Sequence, residues 1–242
     1  MERVEKVIAS VTGFSRSQVK KMMRAGRVCI NGRVAKEAGQ AVDPESDVIT
    51  VDSEVLEYSR HVYIMMNKPA GVISASADKN AATVVSLVPP ELFRKGLFPA
   101  GRLDAGTVGF VLITDDGEFA HDILSPKNHV PKTYHVQLDA PADEHVMERF
   151  ADGLVLKDGT RLAGAKLTQL DSGRFLYEIV ITEGKYHQIK RMFGAFGLRV
   201  VMLKRVKIGG LELDETLGQG ECRKISEEEL KLITAGRFVE EG

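Results

Sequence analysis

The segment from Gly101 to Thr107 constrains the fold of this chain most, because it sets one carboxylate among small residues just ahead of an apolar strand. It reads Gly-Arg-Leu-Asp-Ala-Gly-Thr, and the residues that follow, up to Ile113, are glycine or apolar. Glycine permits a tight turn and lets the backbone come close to a ligand. The pattern therefore predicts that Asp104 is held rigidly where a turn enters a buried strand.

The order of predicted elements after His61 indicates the fold class. Strands are predicted at 63–66, 97–98, 107–113, 133–138, 163–170, 175–181 and 199–207, and helices near 83–88, 118–124, 144–151, 187–193 and 226–233. Strands interrupted by helices at irregular intervals are typical of an α+β protein with a mixed, largely antiparallel sheet. Two short helices and a small sheet precede the polar stretch 52–60. We therefore expect two domains, at 1–59 and 60–242.

Basic residues concentrate in two regions of a chain whose net charge is only −1. One region lies before Asp43, and the other lies between residues 185 and 207, where no acidic residue occurs. Local clusters of cations bind phosphate even when the total charge is near zero. The distribution favours a nucleic-acid partner, although a single cluster of this kind is also typical of a solvated surface.

Several other classes of protein are disfavoured by the sequence. Cys29 and Cys222 are too few and too far apart for a zinc site or a disulfide framework, and the histidines lack metal-ligand spacing. We expect no metal and no cofactor. No apolar run approaches the ~20 residues needed to cross a bilayer. The first ten residues lack the apolar core of a secretory signal. We expect a cytoplasmic monomer with no membrane partner.

The first fifty-odd residues resemble the S4 RNA-binding module. The matching segments are Arg3-Val4-Glu5-Lys6, Ser15-Arg16-Ser17, Lys20-Lys21, Gly26-Arg27-Val28 and Ile30-Asn31-Gly32. The resemblance implies RNA contacts from six cations: Arg3, Arg16, Lys20, Lys21, Arg24 and Arg27. Without the resemblance, most of them would be read as the exposed side of an amphipathic helix, which begins with a capping box of Ser15 and Gln18.

The remainder of the chain resembles the RsuA-type branch of the RNA pseudouridine synthases. Three segments carry most of the resemblance: Asn67-Lys68-Pro69-Ala70-Gly71, Gly101-Arg102-Leu103-Asp104 with its continuation to Gly117, and Glu183-Gly184-Lys185-Tyr186-His187-Gln188-Ile189-Lys190-Arg191-Met192-Phe193. The resemblance implies an S4 domain joined to a pseudouridine synthase catalytic domain. It also implies isomerisation of uridine in ribosomal RNA, with 16S rRNA or a small-subunit assembly intermediate as the partner and without a cofactor.

The same resemblance assigns a role to individual residues. Asp104 is implied as the catalytic carboxylate, acting as a nucleophile or as a base. Tyr134 is implied as a second catalytic residue, which stacks on the flipped uracil and whose hydroxyl takes part in proton transfer. Lys190 is implied as the cation that keeps Asp104 ionised, and Leu103 and Leu203 as pocket residues. RNA contacts are implied for Arg102, Lys185, His187, Gln188, Arg191 and Arg205. The segment Asn67–Gly71 is expected to serve mainly as a turn that needs proline and glycine.

Helical periodicity supports the position of Lys190. If residues 187–196 form a helix, then Ile189, Met192, Phe193 and Phe196 make one apolar stripe. Lys190 then lies ~100° from the centre of that stripe, and Arg191 points nearly opposite to it. We expect Lys190 to lean into a cleft and Arg191 to face solvent or phosphate.

Three alternatives remain open at this point. The first is the same reaction on 23S rRNA, because enzymes of that specificity share the two-domain layout. A non-catalytic RNA-binding assembly factor is disfavoured, because it is expected to lack Asp104, Tyr134 or Lys190. A glycoside hydrolase requires a second, suitably spaced carboxylate. The candidates for it are better explained as a helix cap and turns: Asp115, Asp116 and Glu183.

Overall fold

The computed structural model describes residues 1–37, 39–43, 46–56 and 58–235. It divides the chain into two compact units, one made of residues 1–62 with 94–96, the other of residues 63–93 with those from 97 onward. Each unit has a hydrophobic core of its own. Every helix among the described residues falls short of the length and apolar character needed to cross a bilayer.

The first unit consists of two helices and short strands. In chain order its elements are β1 Glu2–Arg3, α1 Val4–Val11, α2 Arg16–Arg24, β2 Val28–Ile30, β3 Arg33–Val34, β4 Ala41–Val42, β5 Ile49–Val51 and β6 Glu54–Val55. The predicted capping box is confirmed, since the Ser15 backbone N–H donates to Gln18 Oε1 at 2.8 Å and Ser15 Oγ accepts from the Gln18 N–H at 3.3 Å. Asn31 and Gly32 both have positive φ and form the turn that connects β2 to β3, a conformation that Asn-Gly favours in tight hairpins.

The second unit holds the larger sheet. Its elements are β7 Tyr63–Lys68, β8 Phe98–Ala100, β9 Val108–Thr114, α3 Gly117–Leu124, β10 Lys132–Leu138, α4 Glu144–Asp152, β11 Leu154–Val155, β12 Arg161–Leu162, β13 Lys166–Asp171, β14 Leu176–Ile181, α5 Gln188–Gly194, β15 Val200–Ile208, β16 Leu211–Glu212, β17 Cys222–Lys224 and α6 Glu227–Ala235. The helix predicted near 83–88 is instead a single 3₁₀ turn, Val85–Leu87. The strands missed by prediction are β11, β12, β16 and β17, which are too short to show a period.

Nine of the described strands form one sheet with the order β13-β14-β10-β15-β9-β7-β17, to which β8 and β16 add by pairing with β9 and β15. Neighbouring strands run antiparallel except β15 and β9, which run parallel. The expected α+β fold with a mixed, largely antiparallel sheet is therefore confirmed.

The parallel contact between β9 and β15 depends on Gly109. Its φ is +98°, and a Cβ at this position would lie 2.3 Å from the backbone oxygen of Arg205. Only glycine fits both the left-handed backbone and this close approach. The contact sets the loop that precedes β9 beside the strand that carries Leu203.

Predicted helix starts in the second unit are also confirmed. Asp116 is the N-cap of α3, and its Oδ1 accepts from the Phe119 N–H at 3.0 Å. Ser226 and Glu229 form a capping box ahead of α6, the helix predicted near 226–233, through bonds of 2.9 and 3.3 Å.

Candidate active site

The loop that carries Asp104 is tied to the chain segment after β7 by buried side chains. Lys68 is completely buried, and its Nζ donates to the carbonyl oxygens of Thr107 at 2.7 Å, Pro69 at 3.0 Å and Ala105 at 3.1 Å. The Gly71 N–H donates to the Ala105 oxygen at 2.8 Å. The backbone on the C-terminal side of Asp104 is therefore fixed by donors from residues 68–71.

Ser74 holds the other side of the same loop. Its buried hydroxyl accepts from the Leu103 N–H and donates to the Leu103 carbonyl oxygen, both at 3.0 Å. Satisfying a donor and an acceptor of one residue with a single hydroxyl leaves that residue little freedom. Asp104 thus stands between two anchored positions, as the turn-before-strand pattern predicted.

Burial weakens the affinity of the Lys68 side chain for its proton. Loss of hydration lowers the pKa of its ammonium to about 8, and the negative charge of Asp104 opposes this change. The sequence pattern of Asn67–Gly71 predicts mainly a turn and gives this lysine no role. The available signal was its place at the end of the apolar run Tyr63-Ile64-Met65-Met66.

Two nitrogen-bearing side chains meet the carboxylate of Asp104. Lys190 Nζ lies 3.3 Å from Oδ2, and His187 Nε2 lies 3.4 Å from Oδ1. The three side chains are 29–38% exposed, so the group is half-buried at the base of a cleft that is open to solvent. Asp104 and Lys190, two of the three residues predicted to be catalytic, are therefore brought together, with His187 beside them.

Helix α5 places Lys190 by the periodicity that the sequence shows. Ile189, Met192 and Phe193 are buried, and Lys190 at the edge of that stripe leans toward Asp104. Arg191 differs from expectation. Its guanidinium binds Asp158 Oδ2 at 2.5 Å and Thr160 Oγ1 at 3.2 Å, because the turn between β11 and β12 covers that side of the helix.

The turn before α5 is held by its own polar side chains. Gln188 is 4% exposed, its Oε1 accepts from the Lys185 N–H, and its Nε2 donates to Glu183 Oε1, both at 2.9 Å. Lys185 Nζ lies 3.0 Å from Glu183 Oε2 and also donates to the Arg161 carbonyl oxygen. Because both its Oε1 and its Nε2 bind within this turn, Gln188 is better explained as a support of the turn than as the RNA contact that was expected.

The cleft beside Asp104 encloses about 420 Å³, including space open to solvent. Its apolar lining includes Tyr134, Leu103 and Leu203, each less than 8% exposed, and Arg102 is exposed at its edge. The remaining lining residues are Thr107, Ile181, Gly184, Lys185, His187, Gln188 and Ile189. An apolar pocket with a few convergent polar groups is the usual form of a small-ligand site.

Arg205 does not fit its expected role as an RNA contact. It is 3% exposed, its Nε donates to the Phe110 carbonyl oxygen at 2.7 Å, and it is absent from the cleft lining. Arg205 lies on the side of β15 that faces the core, together with Leu203. The alternation of charged and apolar residues in that strand does not show that a charged residue is on the buried side. Arg205 packs near Lys132, whose pKa falls to about 8 through burial and through the charge of Arg205.

The expected RNA-binding cations of the first unit all lie on its surface: Arg3, Arg16, Lys20, Lys21, Arg24 and Arg27. Arg27 pairs with Asp52 through two bonds of 2.5 and 2.6 Å. Within the described part of the chain, no group of three or more His, Cys, Asp or Glu side chains is arranged to hold a metal ion.

Known proteins match this chain over both units. The sequence profile of the RNA pseudouridylate synthases matches residues 62–195, and that of the S4 domain matches residues 2–49. An uncharacterised RNA pseudouridine synthase of Bacillus subtilis is 45% identical over 233 residues, which are 96% of this chain and 98% of that protein. Ribosomal small subunit pseudouridine synthase A of Pasteurella multocida is 41% identical over 94% of this chain and 97% of its own length.

A solved structure agrees with these matches. The crystal structure of a pseudouridylate synthase, 38% identical in sequence, superposes with a TM-score of 0.67 and covers 96% of this chain and 100% of its own. The chain therefore belongs to the RNA pseudouridylate synthase family and carries an S4 domain at its N-terminus. The resemblance noted from the sequence motifs is confirmed.

Proposed function

We propose that this protein isomerises uridine to pseudouridine in ribosomal RNA, with 16S rRNA of the small subunit as the substrate and Asp104 as the catalytic carboxylate. The observation that supports it most directly is the contact of 3.3 Å between Asp104 and Lys190 in a cleft lined by Tyr134. The small-subunit assignment rests on the name of the Pasteurella multocida relative.

The reaction rearranges a nucleoside without adding or removing atoms. The bond between N1 of uracil and C1′ of ribose breaks, the base rotates, and C5 bonds to C1′. The proton of C5 leaves and N1 gains one, so protons balance. Asp104 acts either by attacking C1′ or by removing the C2′ proton, and both routes need an ionised carboxylate beside the ribose.

Lys190 supplies the condition that both routes share. A nucleotide that fills the cleft removes water from Asp104, and desolvation favours the neutral form of any carboxyl group. An ammonium group at 3.3 Å opposes this effect. Lys190 thus keeps the carboxylate charged without taking part in bond making.

The target uridine must leave its stack before it reaches Asp104, at a cost of a few kcal/mol. Tyr134 offers a ring face for the extruded uracil, and Leu103 and Leu203 supply apolar walls. We further propose that residues 1–59 bind RNA and that residues 60–242 form the catalytic domain. The exposed cations of the first unit then contribute affinity through phosphate contacts.

A comparison of pseudouridine positions in ribosomal RNA tests this function. The map from cells that lack the gene is compared with maps from cells complemented by the wild-type protein or by Asp104→Asn. We expect one missing position in 16S rRNA that only the wild-type protein restores. A missing position in 23S rRNA would instead identify the large-subunit RNA as the substrate. An unchanged map would contradict ribosomal RNA as the substrate.

A further inference from the structure

Tyr186 and His187 form a stacked pair of rings. Their centroids are 3.9 Å apart and their planes differ by 17°. Tyr186 is 76% exposed, whereas Phe110, Phe150 and Tyr177 of the same unit are completely buried. A tyrosine ring that meets solvent over most of its surface gains little from folding, so its position needs another explanation.

The backbone under this pair is anchored although the Tyr186 ring is exposed. Arg191 Nη1 donates to the Tyr186 carbonyl oxygen at 3.4 Å, and the bonds of Gln188 hold the turn from Glu183 to Lys185. His187 has a left-handed backbone, with φ 50° and ψ 33°. Strain of this kind in a residue other than glycine persists where the surroundings impose it, and it is concentrated at functional sites.

His187 connects the exposed ring to the cleft. It lines the cleft, and its Nε2 lies 3.4 Å from Asp104 Oδ1. Tyr186 itself is absent from the lining, and its ring stacks on the His187 ring that belongs to it. Lys185 and Lys190 lie on either side of the pair in the chain and add positive charge.

An extruded uridine leaves its neighbours in the RNA strand without a stacking partner. Exposed aromatic rings at single-stranded RNA sites commonly take such bases, with little dependence on base identity. A nucleotide whose base enters the cleft at Tyr134 and whose ribose reaches Asp104 has its neighbour outside the cleft, where Tyr186 stands.

We infer that Tyr186, supported by His187, is a stacking platform for the nucleobase that flanks the target uridine. The inference rests on the proposed function and adds a substrate-binding residue to it. A platform of this kind contributes affinity for the RNA strand and leaves the chemical step unchanged.

Kinetics of Tyr186→Ala and Tyr186→Phe with a 16S rRNA transcript test the inference. We expect Tyr186→Ala to raise KM by about 5- to 150-fold, the range that base–aromatic stacking supplies, with kcat within about twofold of wild type. Tyr186→Phe keeps the ring and should match wild type. Phe93→Ala is the control, because Phe93 is a 56% exposed aromatic of the same unit outside the cleft lining. Unchanged KM in Tyr186→Ala would overturn the inference.

A substrate change identifies the base concerned. Fragments of the RNA that carry the modified uridine are made with an abasic position on its 5′ or its 3′ side. The wild-type protein should bind one of these two fragments more weakly than the intact RNA. Tyr186→Ala, which already lacks the ring, should bind that fragment and the intact RNA with the same affinity. Equal losses for both proteins at both positions would contradict the platform. An inactive wild-type protein would contradict the proposed function, whereas an active one with no Tyr186 effect contradicts this inference alone.

Discussion

Lys190 Nζ lies 3.3 Å from Asp104 Oδ2, although the two residues come from different sequence motifs and different structural elements. Asp104 stands on an anchored loop ahead of β9, and Lys190 stands on helix α5. The contact gives the carboxylate a fixed positive neighbour in a cleft that a bound nucleotide would dehydrate.

Asp104→Asn should abolish product formation while preserving the fold. Asparagine has nearly the same shape, but its amide neither attacks C1′ nor accepts the C2′ proton. We expect no pseudouridine in a 16S rRNA transcript, RNA affinity within about threefold of wild type and a free energy of unfolding within about 1 kcal/mol. Product above the background of an enzyme-free reaction would remove Asp104 from its role.

Lys190→Met should lower kcat more than it raises KM. Methionine keeps most of the side-chain volume but leaves the Asp104 carboxylate without its ammonium partner in a cleft that a bound nucleotide dehydrates. We expect a fall in kcat of about tenfold or more. Lys207→Met is the control, since Lys207 pairs with Glu212 at 3.2 Å and does not line this cleft. An effect on affinity alone would reassign Lys190 to phosphate binding.

Ser74→Ala should reduce both stability and turnover. The substitution leaves the N–H and the carbonyl of Leu103 without their buried partner, at a cost of about 1–3 kcal/mol. Ser226→Ala removes a helix cap elsewhere, at a cost of about 1 kcal/mol. Chemical denaturation and kcat should be measured for both variants. Only Ser74→Ala should lower kcat, and equal kcat values would show that the loop does not depend on this anchor.

Lys132→Met should raise stability in a pH-dependent way. The pKa of Lys132 is lowered from 10.5 to about 8 in the folded protein, so between these values the unfolded chain binds more protons and wild-type stability rises with pH. Below pH 8 the buried charge costs about 3 kcal/mol, reduced by the weak bond of 3.4 Å to the Ile123 carbonyl. Methionine should therefore stabilise the protein by about 2 kcal/mol at pH 7, with a smaller gain at pH 10. A gain independent of pH would contradict the lowered pKa.

Gly109→Ala should destabilise the catalytic unit by about 3 kcal/mol or more, because both the positive φ and the contact with the Arg205 backbone exclude a side chain. Gly117→Ala serves as the control, since a Cβ there would meet nothing within 4 Å. Thermal unfolding followed by circular dichroism compares the two variants. Similar melting temperatures would show that β9 and β15 can separate enough to admit a methyl group.

Sequence patterns predicted those parts of the site that depend on local spacing. The stripe of Ile189, Met192 and Phe193 located Lys190 correctly, since the angle between residues on a helix follows from the helical period. The same period gave a direction for Arg191 but could not reveal that Asp158, from a distant turn, lies there. Motif order indicated the family without indicating which strands pair.

Long-range contacts account for most of what prediction missed. The three carbonyls that surround Lys68 come from two chain segments, and nothing in the local sequence shows that they converge. The burial of Arg205 follows from its register opposite Tyr134 in β10, which a single strand does not disclose. The left-handed backbone of His187 likewise depends on the bonds of the surrounding turn, although histidine enters this region more often than most residues other than glycine.

The hydroxyl of Ser74 both donates to and accepts from Leu103, and it should therefore slow the exchange of the Leu103 amide proton with solvent. The buried amide proton of Leu103 should exchange with deuterium as slowly as those of a central strand, although Leu103 lies in no strand or helix. The wall of the cleft would then be already in its working shape before RNA arrives. On binding, the RNA strand would change its conformation while this part of the protein would not.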